Sequence, residues 1–294
     1  MKITPELIAL GMYEKALPQS LSWAERLAAA RETDSDFVEI SIDDSDERIN
    51  RLSWDVPTRM ALRNEIQSSG MQIKSMSLSA HRRFPLGSED KKIRSQAQDI
   101  FKRAVDFSVD LGIRYILVAG SDVYHEPSNS KTLGYFLEGL EMGYLHAAQA
   151  GVVLALENWD IRVESIQKVM EYVHYFDSPW FQAYADVGNL VFAGKDVLAE
   201  LDYARGHLAA VHVKDTHRDQ LRYVKPGEGA VPFIQVFSKL AELGFMGSIV
   251  LELWTEDQPN AKEIVKASNA WIREQMKEGW LAYECTQMNL QEIK

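Results

Sequence analysis

Along most of the 294-residue chain, short apolar runs alternate with longer stretches in which apolar residues recur every three or four positions. The short runs predict strands that start near Ile8, Asp36, Met71, Ile113, Val152, Phe181, Leu208 and Ser248. The longer stretches, such as "SWAERLAAARE", "DKKIRSQAQDIFKRAVDFSVDL" and "VPFIQVFSKLAEL", predict helices. The later helices stop at Gly70, Gly112, Gly151, Gly206 and Gly244, each just ahead of a strand. A helix end favours φ > 0 there, and glycine has no Cβ to clash. Helix, glycine, apolar strand, repeated, is the sequence form of parallel β/α architecture.

Eight such units predict an α/β fold, a single closed (β/α)8 TIM barrel, which typically takes about 250 residues. The rival is an open doubly wound sheet, which would favour a Gly-rich phosphate loop after the first strand. "GMYEKALPQS" has none. One catalytic domain is therefore expected over residues 1–280, with residues 281–294 as a C-terminal tail that carries Cys285.

Composition narrows the function classes. With 43 Asp plus Glu against 32 Lys plus Arg, the formal net charge is −11. A general binder of nucleic acid or anionic membranes needs a positive field, so neither is an expected partner. One cysteine permits no internal disulfide and no thiolate metal cage. The opening "MKITPELIALGMYEK" lacks a basic-then-apolar signal pattern. No apolar run approaches the roughly 20 residues of a membrane span, and the expected compartment is the cytoplasm. Against this acidic background "SAHRRFPLGSED", residues 79–90, is a basic spot after a predicted strand. It reads either as a salt-bridge patch or as the seat of an anionic ligand.

In such barrels chemistry sits at the carboxyl ends of the strands. The last four strands read "GVVLALENWD", "FQAYADVGN", "LAAVHVKDT" and "SIVLELWTE", and each closes on a metal-competent residue: Glu157, Asp186, His212 and Glu252. Charged residues in apolar strands are costly to bury unless paired or bound to a cation. Taken singly, each reads as a cap, an ion-pair partner or a hydrogen-bonded core histidine. Four on consecutive strands point instead to one divalent ion, and three oxygens with one nitrogen suit Mn2+, Mg2+, Co2+ or Zn2+. Strand residues two apart share a face, so Lys214 points into the mouth with His212. The same alternation turns Ser75, Ser77 and Ser79 inward, with His81 at the rim. Glu39 either faces the mouth or, as the preferred reading, pairs with a neighbouring strand. Trp254 either walls the pocket or packs under a loop.

With these residues in view, the chain resembles the L-xylulose-5-phosphate 3-epimerases of L-ascorbate and pentose utilisation, also described as L-ribulose-5-phosphate 3-epimerases, within the xylose-isomerase-like barrel group. The similarity runs from about residue 9 to 275 through "GMYEKALP", "FVEISIDDSDERINRLSW", "LSAHRRFPLGSED", "DVGNL", "HVKDT", "GEG" and "LELWTE". It implies a metal-dependent enzyme that inverts C3 of ketopentose 5-phosphates, with Glu157, Asp186, His212 and Glu252 as ligands. Two departures stand out. Pro232 follows "GEGAV" where related chains carry an acid, and Asn189 replaces a histidine of many sugar 3-epimerases.

Inverting C3 of a 2-ketose removes a proton beside a carbonyl and returns it on the opposite face. Glu157 and Glu252 end strands roughly 135° apart around an eight-strand mouth, and the resemblance points to them as the proton carriers. In that setting Arg82 or Arg83 grips the phosphate, since arginine forms bidentate pairs with phosphate oxygens. One of the two is expected to be the contact and the other structural. A helix start around Ser88 and "KPGEGAV", residues 225–231, are further candidate phosphate sites. Ser79, His81 and Lys214 complete the expected substrate contacts, and a homodimer is expected. Three rival readings are an aldose–ketose isomerase on the same scaffold, a metal-dependent DNA-repair endonuclease and a non-catalytic sugar-phosphate binder. Seven histidines and the acidic charge oppose the endonuclease.

Overall fold

The computed structural model describes residues 3–159, 162–255 and 257–292. Parallel strands close into a barrel in chain order: β1 (Leu10–Tyr13), β2 (Phe37–Ile42), β3 (Gln72–Leu78), β4 (Tyr115–Ala119), β5 (Val153–Glu157), β6 (Phe181–Asp186), β7 (Leu208–Val213) and β8 (Ser248–Leu251). β8 pairs back onto β1, with Gly11 opposite Val250. The (β/α)8 expectation is borne out, and each strand begins no more than two residues after its predicted position.

Around the barrel lie α1 (Trp23–Glu32), α2 (Asp46–Asn50), α3 (Val56–Ser69), α4 (Lys91–Leu111), α5 (Ser130–Gln149), α6 (Ile166–Phe176), α7 (Val187–Phe192), α8 (Val197–Tyr203), α9 (Phe233–Glu242) and α10 (Ala261–Glu292). Their starts are chemically marked. Ser22 and Glu25 form a reciprocal capping box on α1, Asn129 and Thr132 form another on α5, and Asp55 caps α3. The five predicted glycines all take the left-handed conformation, with φ between 66° and 82°. α10 packs on α9 and runs unbroken through Leu281 and Cys285. No described helix is long and apolar enough to cross a membrane.

Strand alternation divides the interior into two cores. Leu154, Leu156, Ala183, Ala185, Val211, Val213, Ile249 and Leu251 face outward and join Val169, Val173, Phe237 and Leu240 of the helices. Each fully buried Val, Leu, Ile or Phe side chain of this set contributes roughly 1.5–3 kcal/mol. Leu117, Ala155, Tyr184 and Ala210 face inward and fill the lumen. On β5, β6 and β7 the next inward position is Glu157, Asp186 and His212. The polar layer therefore sits directly on an apolar floor.

Candidate metal centre and active site

Strand register brings the four predicted ligands to one end of the barrel. Glu157 lies opposite Tyr184, and Asp186 lies opposite His212. Glu252 follows β8 directly and donates its backbone N–H to the Val213 carbonyl. One ligand atom from each of Glu157, Asp186, His212 and Glu252 falls within 4.8 Å of the others. The imidazole is central: His212 Nδ1 is 3.1 Å from Glu157 Oε1, 3.7 Å from Glu252 Oε2 and 3.9 Å from Asp186 Oδ2. Asp186 uses its other oxygen, Oδ1, to accept from the Asn189 N–H and so caps α7.

Lys214 reaches the same point, with Nζ 2.7 Å from Asp186 Oδ2 and 2.8 Å from Glu252 Oε2. Burial pushes the Asp186 carboxyl up to about 7; the Lys214 ammonium opposes this, and Glu252 and Glu157 add to it. Burial works against charge on Glu252 too, but Lys214 and His212 outweigh it and bring that carboxyl down to about 2. Burial likewise disfavours charge on His212 and Lys214, yet the surrounding carboxylates raise both. With Glu39 included, four carboxylates face one ammonium and one imidazole. That excess of negative charge, together with the hard-oxygen and imidazole donor set, fits a divalent cation.

The rim residues divide clearly. The Arg82 guanidinium lies over the Trp159 ring, 4.5 Å from its centroid, and has no ion-pair partner among the described residues. Arg83 is exposed, pairs with Asp46 at 2.6 Å and covers Phe84. Lys214 Nζ sits between two indoles, 5.8 Å from Trp159 and 5.6 Å from Trp254. Trp254 thus lines the mouth, and Arg222 lies over it at 4.8 Å. Ser79 is buried just beyond β3. His81 is turned away to α4: Nε2 meets the Ala97 carbonyl at 3.2 Å, and the ring packs on Phe101. Burial pushes its imidazole down to about 4.

Several loop expectations are corrected. α4 starts at Lys91, not near Ser88, and the Asp90 carboxylate accepts from Lys92 N–H, so an acid already occupies that helix terminus. The "KPGEGAV" loop is also committed. Asp215 Oδ2 accepts from the N–H groups of Gly227 and Gly229, and Oδ1 from those of Val231 and Thr216. Gly227 has φ 91°, and a Cβ at Gly229 would run into the Asp215 carboxylate. Among the described residues Glu39 meets no cation on a neighbouring strand; it reaches across the lumen to His212. Asn189 Nδ2 donates to the Asn158 carbonyl, while the Asn158 side chain spans both backbone groups of Asp186. This clamp between β5 and β6, like the Trp159–Arg82 stack, had no spacing signal; only the adjacency of Asn158 and Trp159 to Glu157 hinted at them.

A closed parallel barrel with an acid-rich centre containing one histidine at its mouth defines a class. The chain belongs to the xylose isomerase-like TIM barrel family, whose model matches residues 27–275, and within it to the group of L-ribulose-5-phosphate 3-epimerase UlaE. The protein of that name from Shigella boydii serotype 18 (strain CDC 3083-94 / BS512) is 45% identical over 271 residues, 92% of this chain and 95% of the relative. The family resemblance read from the motifs is thereby borne out, and these relatives are named as epimerases, enzymes of the isomerase class. Among solved structures, an L-ribulose 3-epimerase superposes with a TM-score of 0.79 at 17% identity, covering 95% of this chain and 98% of its own. A xylose isomerase-like TIM barrel protein from Mycobacterium smegmatis, in complex with magnesium, gives 0.68 at 14% identity over 95% and 99%. These two likenesses speak to the fold.

Proposed function

We propose that the chain is a divalent-metal-dependent epimerase of pentose and L-ascorbate utilisation that inverts C3 of a ketopentose 5-phosphate, interconverting L-xylulose 5-phosphate and L-ribulose 5-phosphate. The observation that carries this reading is the convergence of Glu157, Asp186, His212 and Glu252 within 4.8 Å. The 45% identity to named L-ribulose-5-phosphate 3-epimerases supports it. Those four side chains would hold the ion, which is Mn2+, Zn2+, Co2+ or Mg2+. When bound, a divalent ion would supply positive charge to stabilise the negative charge that grows on the sugar oxygens as the C3 proton leaves.

The chain's own groups do the rest. Glu157 and Glu252 serve as the two proton carriers, one for each face of C3, with their roles exchanged in the reverse direction. The Lys214 ammonium, charged and placed between Trp159 and Trp254, orients a sugar oxygen. Arg82, held on Trp159 and free of carboxylates among the described residues, takes the phosphate. Arg83 serves structure through Asp46. Ser79 is buried just beyond β3, and His81 packs from behind on α4. The reading has the enzyme act in the cytoplasm as a homodimer, with a small sugar phosphate, not nucleic acid or membrane, as its partner.

Incubation with L-ribulose 5-phosphate and Mn2+ in D2O, followed by metal removal and NMR, tests the proposal. L-xylulose 5-phosphate with deuterium at C3 is expected. An aldose phosphate, or no exchange at C3, would overturn it.

A further inference from the structure

Among the described residues Glu39 is the one acid of the lumen that lies outside the set of four ligands and yet touches it. It sits on β2 with no exposed surface, and its carboxylate meets three donors from three other strands. Oε2 accepts from the Ser75 hydroxyl at 2.7 Å and from the Tyr184 hydroxyl at 2.8 Å. Oε1 lies 2.7 Å from His212 Nε2. No lysine or arginine pairs with it among the described residues, so its partners are hydroxyls and one imidazole. The Tyr184 ring packs edge-on against His212 with centroids 4.6 Å apart, which fixes the plane of the imidazole as well.

A neutral imidazole has one N–H and one lone pair, and the hydrogen bond made by one nitrogen decides the role of the other. Glu39 can only accept at Nε2, which calls for a proton there. In the neutral imidazole of the metal-loaded protein the lone pair is then left on Nδ1, the nitrogen that faces Glu157, Asp186 and Glu252. We propose that Glu39 is a positioning residue that holds the His212 proton on Nε2 and thereby presents Nδ1 as the metal-binding nitrogen. This rests on the metal-dependent reading above.

The test uses the full chain and Zn2+. Calorimetric titration of wild type, Glu39→Gln and Glu39→Met is paired with long-range 1H–15N spectra of the 15N-histidine-labelled, Zn2+-loaded protein. Glutamine keeps an amide oxygen to accept from Nε2–H, while Ser75 and Tyr184 turn to accept from its NH2. Methionine fills the space with only a weak sulfur acceptor in place of the carboxylate. The expected result is a proton on Nε2 of His212 in the wild type and Zn2+ affinity weakened by about 10- to 100-fold in Glu39→Met. Glu39→Gln should recover most of that loss. A merely structural role would lower the melting temperature without moving the site of protonation or the affinity of folded protein. Zn2+ on Nε2 in the wild type, or Glu39→Met within about threefold of wild type, would overturn the proposal. Wild type that binds no Zn2+ would overturn it together with the metal-dependent reading, so the two failures differ. If Glu39→Met does not fold, the wild-type spectrum and Glu39→Gln still decide.

Discussion

Replacing Asp186 with asparagine should stabilise the metal-free protein at alkaline pH, although it removes a proposed ligand. The Asp186 carboxyl stands at about 7 in the folded chain against an ordinary 3.8. Between those values the folded state keeps a proton that the unfolded chain gives up. Stability from this group is therefore full below about pH 4 and is lost as pH rises through about 7. The gap of about three in pKa corresponds to roughly 4 kcal/mol. Asparagine mimics the protonated carboxyl, can still cap α7 through its side-chain oxygen, and carries no such pH dependence. In chelator at pH 8 Asp186→Asn should therefore melt roughly 10 °C above wild type, converging with it near pH 4. Added Zn2+ should reverse the order, because a ligand that binds only the folded state stabilises it with the logarithm of its concentration over Kd. Differential scanning fluorimetry from pH 4 to 8, with chelator and with Zn2+, measures both arms. Titrating groups that do not interact with Asp186 cancel in the difference between the two proteins, and Lys214, Glu252, Glu157 and His212, which do, shift with the substitution. A difference that stays flat across this range, or a variant less stable than wild type in chelator at pH 8, would refute the reasoning.

Three further outcomes are expected. Arg82→Ala should raise KM for a sugar 5-phosphate about tenfold or more, as loss of a charge-assisted contact would, while leaving the free sugar unaffected; Arg83→Ala should change neither, and steady-state kinetics on both substrates shows the split. Asp215→Asn turns an NH2 toward backbone N–H groups and should cost roughly 2–4 kcal/mol in urea unfolding, since two or more of them lose their acceptor. His81 is held neutral down to about 4 against an ordinary 6.5, so only the unfolded chain takes up that proton in between. Stability should then fall as pH drops from about 6.5 toward 4, by up to roughly 3 kcal/mol, and His81→Phe should flatten that part of the profile in equilibrium unfolding.

The barrel was legible because its signals are local. A strand and the glycine before it lie within a few residues of each other, and Gly70 or Gly112 at φ 67° or 75° needs no knowledge of distant chain. The strand-end residues were legible for a related reason: register in a parallel barrel brings like ends together, so Glu157, Asp186, His212 and Glu252 could be matched by position alone. Long-range partners were not legible in this way. Glu39 and His212 are 173 residues apart, and nothing in "DFVEIS" names β7 as its partner. Loops were read worst. "KPGEGAV" has the look of a phosphate cradle, but the acid that fills it, Asp215, stands 12 residues before Gly227. The two arginines of "SAHRRFPLGSED" were expected to divide their roles; in the structure one lies on Trp159 and the other pairs with Asp46.

The hydrogen bond from β7 to β2 passes straight through the lumen, like a tie rod across a drum. The centre is therefore braced from within the cylinder as well as by the Asn158–Asp186–Asn189 clamp at the strand ends. Connecting segments farther out are left free to lengthen or exchange side chains and so to suit a different sugar, while the reacting centre keeps its shape.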